Sequence, residues 1–245
     1  MADELKKEVK RAIEDNNDSD FDPFSDLEIA SHEPLRGAER APCPKCQTSR
    51  KYYCYECYTT VGIERSLVPS VTLPITVDIV KHRGELAGKS TATHAAILAP
   101  VQVTIYNYPD FPEIVDKQKV VAVFPSEEAL TLQQWCKHDD MAKTEFNRVI
   151  FIDSTWQQSH KIITDGRLSG IRKVQIENAK TYFWRPQQKP NTCLATIEAI
   201  YFFFKEYEQH ILQSPYEGQY DNLLYFYSFQ YNLIHQQKRL KRDET

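Results

Sequence analysis

Val149-Ile150-Phe151-Ile152-Asp153-Ser154-Thr155-Trp156-Gln157-Gln158 runs four apolar residues straight into a carboxylate. A short unbroken apolar run, with no alternation, predicts a strand buried on both faces. The flanks fit that reading. Trp156–Leu168 predicts a helix and Arg172–Ile176 a further strand, and upstream lie the β-rich runs Ile75–Val80, Ala96–Ile105 and Val120–Phe124. Strands alternating with helices predict an α/β fold with a mainly parallel sheet. The C-terminal third reads as helical. Leu194, Ile197, Tyr201 and Phe204 share one face; Leu223, Phe226, Gln230 and Leu233 share another, with Tyr227 and Tyr231 beside it. Aromatics at helical spacing signal core packing more often than a base-stacking surface.

A chain of 245 residues with 41% hydrophobic content has enough apolar material for one large domain with small appendages. No apolar run reaches membrane-spanning length, and Met-Ala-Asp-Glu-Leu-Lys-Lys lacks the apolar centre of a signal peptide. The expectation is an intracellular protein, with no membrane partner, in a reducing compartment. The net charge of −4 speaks against a nucleic-acid partner until its distribution is seen. Residues 1–29 carry ten acids and four bases, so an acidic tail masks a slightly basic body that is compatible with RNA. Leu5, Val9 and Ile13 predict a short amphipathic helix, and Asp15–Asp26 reads as a solvated linker. The basic run Lys238-Arg239-Leu240-Lys241-Arg242 suits RNA phosphates, a nuclear signal or a helix end complementing its dipole. A nuclear location is expected, with the cytoplasm as the alternative.

Cys43-Pro44-Lys45-Cys46 and Cys54-Tyr55-Glu56-Cys57 form two Cys-x-x-Cys pairs seven residues apart. Each turn brings two thiolates to one ion, and two turns complete a tetrahedral four-sulfur site. Zinc is the natural occupant, and four protein ligands make its role structural; an iron–sulfur cluster takes the same four thiolates. Cys136 and Cys193 read as ordinary thiols. The expected division is an acidic tail over 1–29, a zinc-binding segment over 30–62 and a catalytic domain over 63–245.

Ligands of open α/β sheets bind beyond the carboxyl ends of the strands, where a carboxylate such as Asp153 can serve as a base. Asp153 or Ser154 equally suits the cap of the following helix. A resemblance adds to this. Asp153-Ser154-Thr155-Trp156 resembles the Asp-x-Thr-Trp signature of the DTW-domain family. Further blocks resemble the family in order across about residues 41–235. They are the cysteine box, Lys81-His82-Arg83-Gly84-Glu85, Lys89-Ser90-Thr91-Ala92, Val123-Phe124-Pro125-Ser126, Phe183-Trp184-Arg185 and Leu194-Ala195-Thr196-Ile197-Glu198-Ala199. Arg83 stands where the family commonly has proline. The segments Cys-Tyr-x-Cys-Tyr and Gly-Gln-Tyr-Asp-Asn-Leu-Leu look closest to a eukaryotic tRNA-modifying branch.

The resemblance implies a SPOUT-like knotted, mainly parallel sheet with flanking helices, plus the small N-terminal zinc segment. It implies transfer of the 3-amino-3-carboxypropyl group of S-adenosylmethionine to N3 of a D-loop uridine in tRNA, releasing 5′-methylthioadenosine. A SPOUT-like RNA methyltransferase and a non-catalytic zinc-ribbon tRNA adaptor are the alternatives. Asp153 is then the expected base. Phe124, Pro125, Asp153, Thr155, Trp156, Arg185, Thr196 and Glu198 are expected at the donor, Arg185 on its carboxylate or on an RNA phosphate and Glu198 on its amino group. Lys81, His82, Arg83 and Lys89 are expected on RNA.

Overall fold

The computed structural model describes residues 22–137, 145–184 and 193–243. In chain order its elements begin with α1 (Glu33–Arg36) and two small hairpins, β1 (Ala41–Pro42) with β2 (Ser49–Arg50) and β3 (Tyr52–Cys54) with β4 (Thr59–Val61). Then come β5 (Thr76–Lys81), α2 (Ala92–Leu98), β6 (Val103–Asn107), β7 (Val120–Val123), α3 (Leu132–Lys137), β8 (Arg148–Asp153), α4 (Trp156–Ile163) and β9 (Arg172–Val174). Helices α5 (Thr196–Glu206) and α6 (Tyr225–Asp243) complete the chain.

Five strands form one sheet in the order β6-β5-β8-β7-β9, and every pairing is parallel. Alternate side chains of a strand face opposite ways, which sorts the core into two layers. Val77, Ile79, Val149 and Phe151 pack with α2, α3, α5 and α6 on one face. Val80, Ile150, Val120 and Ala122 pack with Ile162 and Ile163 of α4 on the other. Helices on both sides explain why the β8 run is apolar throughout. From β5 the chain moves outward to β6; from β8 it moves the opposite way, past β7 to β9. The carboxyl ends of β5 and β8 therefore flank a topological switch point, the customary ligand crevice of such sheets.

Three expectations need correction. Ala96–Ile105 is not one strand: Ala92–Leu98 is helical, and β6 begins only at Val103. All seven residues of α2 are buried, so no amphipathic period marked it, and Pro100 stops it. The helix from Trp156 ends at Ile163 rather than Leu168, because Asp165-Gly166 turns the chain and Arg167 bonds back to Asp165. The acidic tail does not extend to residue 29 as a solvated segment. Phe24 is buried against Tyr182, Tyr227 and Tyr231, and the Glu28 and Ala30 amides donate to the Asp221 carboxylate and the Asn222 side chain. Residues 1–21, with the helix expected there, lie outside the described residues. Among the described residues no helix is long and apolar enough to cross a membrane.

Candidate active site and cysteine cluster

Asp153 is the last residue of β8 and Lys81 the last of β5, and the two are partners in the parallel register. Both fall on the α2/α5 face, by alternation from Phe151 and Ile79. Asp153 is 4% exposed. Ser90 donates its hydroxyl to Oδ2 at 2.6 Å, and Thr196, the first residue of α5, donates to Oδ1 at 2.5 Å. Burial pushes the Asp153 carboxyl above its ordinary range; the two hydroxyl bonds and the positive Lys81 pull the other way. A carboxylate has about four lone-pair positions, so each oxygen keeps one free. The result is a shielded carboxylate, fixed by two hydroxyls and able to take one more proton.

The surroundings of Asp153 are built from the same blocks. Thr91 accepts the Ile197 N–H at 3.1 Å, joining the start of α2 to the first turn of α5. The backbone oxygen of Asp153 accepts the His82 N–H at 2.9 Å. Beyond His82 the chain turns without proline: Glu85 N–H returns to the His82 carbonyl, and Gly84 N–H donates to His82 Nδ1 at 3.0 Å. Gly84 lies so close to α4 that a Cβ there would stand 2.7 Å from Gln158 Nε2. Thr155, not Asp153 or Ser154, occupies the N-cap of α4, and its amide meets Gln158 Oε1 at 3.3 Å. Phe124 and Pro125 follow β7, the other neighbour of β8, and the Phe124 amide is held by the Val174 carbonyl. Arg185 and the Trp156 side chain lie outside the described residues.

Two further expected site residues are buried. Lys81 is 7% exposed and sits at the sheet end beside Asp153; Arg83 and Lys89 are exposed and His82 is half-buried. Glu198 is buried, and both its oxygens are engaged. Oε2 accepts from the Thr181 hydroxyl at 2.6 Å and the Ala195 amide at 2.7 Å, and Oε1 accepts from the Tyr182 amide at 2.7 Å. It fastens segment 181–184 to the start of α5, with three of its about four lone-pair positions taken.

The four cysteines of the box converge. Their sulfurs all lie within 4.8 Å of one another, none forms a disulfide, and Cys46 and Cys54 are 3.7 Å apart. Tetrahedral zinc with ~2.3 Å bonds separates its sulfurs by ~3.8 Å, so the spacing fits. As thiols the four oppose one another: the Thr48 hydroxyl beside Cys46 brings it down to about 6, while burial and the neighbouring sulfurs push Cys57 up to about 12. A doubly charged cation at the centre suits all four as thiolates. Each Cys-x-x-Cys turn closes in the same way, with the next residue left-handed (Gln47 at φ 59°, Tyr58 at φ 51°). This segment is joined to the domain behind it. Tyr53 bonds His94 Nε2 at 2.8 Å and Gln230 Nε2 at 2.6 Å, and Tyr55 lies against Gly88, two residues before Ser90. The Asp153 charge reaches Tyr58, which burial first and then Glu56 and Asp153 hold above the ordinary phenol range.

The sequence reading missed Ser90 and Tyr58 at the site. Ser90 lay inside a quoted block, and Tyr58 follows Cys57 directly, so adjacency to known motifs was the available signal.

Residues 51–235 match the DTW domain family. The chain is 42% identical to human tRNA-uridine aminocarboxypropyltransferase 1 over 266 residues, covering 91% of this chain and 88% of the relative. It is 38% identical to the Xenopus laevis protein of the same name over 270 residues, covering 94% and 93%. The mouse protein of that name is 40% identical over 255 residues, with 87% and 84% covered. No solved structure matches the chain.

Proposed function

This chain belongs to the DTW-domain family, and on that premise we propose that it is a tRNA-uridine aminocarboxypropyltransferase. The donor in this reading is S-adenosylmethionine and the acceptor is N3 of a D-loop uridine. The observation that carries it is Asp153: a buried carboxylate held by Ser90 and Thr196 at the sheet's switch point, inside the family signature.

The chemistry asks for a base and for orientation. The uridine N3–H gives its proton to Asp153, whose burial favours the neutral acid. N3 forms a bond to the methionine-side methylene of the donor, the carbon–sulfur bond breaks, and sulfur keeps the pair as 5′-methylthioadenosine. Ser90 and Thr196 fix the carboxylate, which is a positioning effect. Phe124, Pro125, Thr155, Trp156 and Arg185 belong to the donor pocket, with Arg185 as an anion ligand. Arg83, Lys89 and His82 form the RNA-facing rim.

The cysteine cluster holds zinc in this reading, through Cys43, Cys46, Cys54 and Cys57, and the ion is structural. Its task is to brace the Tyr55–Gly88 contact behind Ser90. The knotted SPOUT-like path of the chain and a nuclear address on Lys238–Arg242 belong to the same proposal. Imaging of a fluorescent fusion with and without that basic run tests the latter.

Purified chain, tRNA and donor test the reaction directly. Stoichiometric 5′-methylthioadenosine and a uridine heavier by one aminocarboxypropyl group are expected. S-adenosylhomocysteine as the by-product would mean a methyltransferase, and tRNA binding without donor binding would mean an adaptor.

A further inference from the structure

We infer that Lys81 receives the α-carboxylate of the donor's methionine arm, which makes it a substrate-binding residue at the reacting end of the site. The inference rests on the donor reading above and adds to it the residue that chooses which carbon reacts.

Lys81 ends β5 as Asp153 ends β8, in paired register and on the same face of the sheet. It is almost wholly buried. A buried ammonium normally has an ion pair or a full set of acceptors. Among the described residues Lys81 has neither a salt bridge nor a side-chain hydrogen bond. Asp153, whose carboxyl its charge lowers, accepts from Ser90 and Thr196 and forms no salt bridge with it. The stem of Lys81 is buried while its ammonium is not among the sealed, unpaired polar atoms, so the charge opens on the crevice without a protein acceptor among the described residues and is a site for an anionic ligand group.

The distances suit the reaction. Adjacent strands lie ~4.8 Å apart. From the α-carboxylate carbon to the reacting methylene the arm has three carbon–carbon bonds of ~1.5 Å, spanning ~4 Å when extended. Lys81 and Asp153 start one strand apart on the same face, so a carboxylate held by the Lys81 side chain keeps the reacting methylene within one arm's length of that anchor, on the Asp153 side of the sheet. That is the side where the uridine proton is taken. A donor held only by its adenosine leaves the less hindered methyl group free to react, so the same anchor favours aminocarboxypropyl transfer over methylation.

The full-length chain tests this with two probes that differ in the arm. S-adenosylhomocysteine carries the carboxylate, and 5′-methylthioadenosine does not. Lys81→Met keeps the length and apolar stem. It is expected to weaken S-adenosylhomocysteine binding roughly tenfold or more, with methylthioadenosine binding unchanged. Lys81→Arg, which offers a fork to a carboxylate, is expected to keep most of the preference for S-adenosylhomocysteine. Equal weakening of both probes overturns the inference in favour of a packing role. Unchanged affinities with turnover lost at low pH overturn it in favour of a cation serving the uracil. Wild-type protein that binds neither probe refutes the donor reading itself, whatever the Lys81 variants do.

Discussion

Replacing Glu198 by alanine separates a fastening role from a donor-binding one. Its carboxylate accepts the Thr181 hydroxyl, the Tyr182 amide and the Ala195 amide at 2.6–2.7 Å. The variant leaves two backbone N–H groups and a hydroxyl without their acceptor in a buried to half-buried site. Each unsatisfied buried donor costs about 1–3 kcal/mol. Against this stands the relief of a buried charge, since desolvation already holds the Glu198 carboxyl above its ordinary range. A net loss of about 2–4 kcal/mol is expected, which for a chain of this size lowers Tm by roughly 5–15 °C. Glu198→Gln is milder. Its carbonyl can serve the Oε2 side, where two donors meet, while its NH₂ faces the Tyr182 amide, so about half the loss is expected. Urea unfolding followed by tryptophan fluorescence measures both variants, and equilibrium dialysis with S-adenosylhomocysteine measures the donor site. A wild-type urea midpoint in the alanine variant, together with lost donor binding, would refute the reasoning. It would return Glu198 to the donor's amino group.

Asp153→Asn keeps the shape of the side chain and removes its basicity; turnover of tRNA should fall by ~10²-fold or more, with the unfolding midpoint little changed because the Ser90 and Thr196 hydroxyls can each donate or accept. Near-normal turnover would reduce Asp153 to a scaffold residue. Cys54→Ser should lose the metal and lower stability around both hairpins, because metal-binding energy is folding energy; elemental analysis reads this, and iron or no metal in well-folded wild-type protein contradicts the zinc reading. Asp78, buried beside Arg148 at 3.4 Å, has its carboxyl raised by burial from 3.8 to about 6. The folded state therefore holds the proton more tightly than the unfolded one, so this group's contribution is greatest below pH ~4 and falls as pH rises through about 6. Asp78→Asn, which mimics the neutral form, should flatten that fall and gain about 1–2 kcal/mol at pH 7. An unfolding midpoint that drops in the variant at pH 7 would show the Arg148 pair to be worth more than the burial it costs.

The parts of the fold that the sequence made legible share a cause. Val149–Ile152 has no polar face, because helices cover both sides of β8, and the abrupt Asp153 marks where that cover ends. Ile75–Val80 is interrupted by Thr76 and Asp78, so Lys81 after it carries no such mark, and a lysine next to a His-Arg pair reads as an RNA-facing base. Only the parallel register shows that it shares the crevice with Asp153. The hydrogen bonds of Glu198 were hidden for a related reason: a carboxylate in the first turn of a helix reveals its charge and not the amides that meet it. Helix α2 escaped because seven buried residues leave no period to detect. Phe24 escaped because isolated aromatics among acids carry no period, and its partners Tyr182, Tyr227 and Tyr231 lie far along the chain. The cysteine spacing was legible because metal geometry constrains neighbours in sequence directly.

The stitch between Glu28 and Asp221 spans 193 residues, and the one between Ala30 and Asn222 spans 192. At ~5–20 residues added per second, the ribosome makes the second half of each stitch roughly 10–40 s after the first. For all that time Phe24 and its neighbours have no seat, since Tyr227 and Tyr231, part of the wall that covers Phe24, are synthesised later still. The docking of this early segment therefore waits until the residues of α6 that cover it have been made.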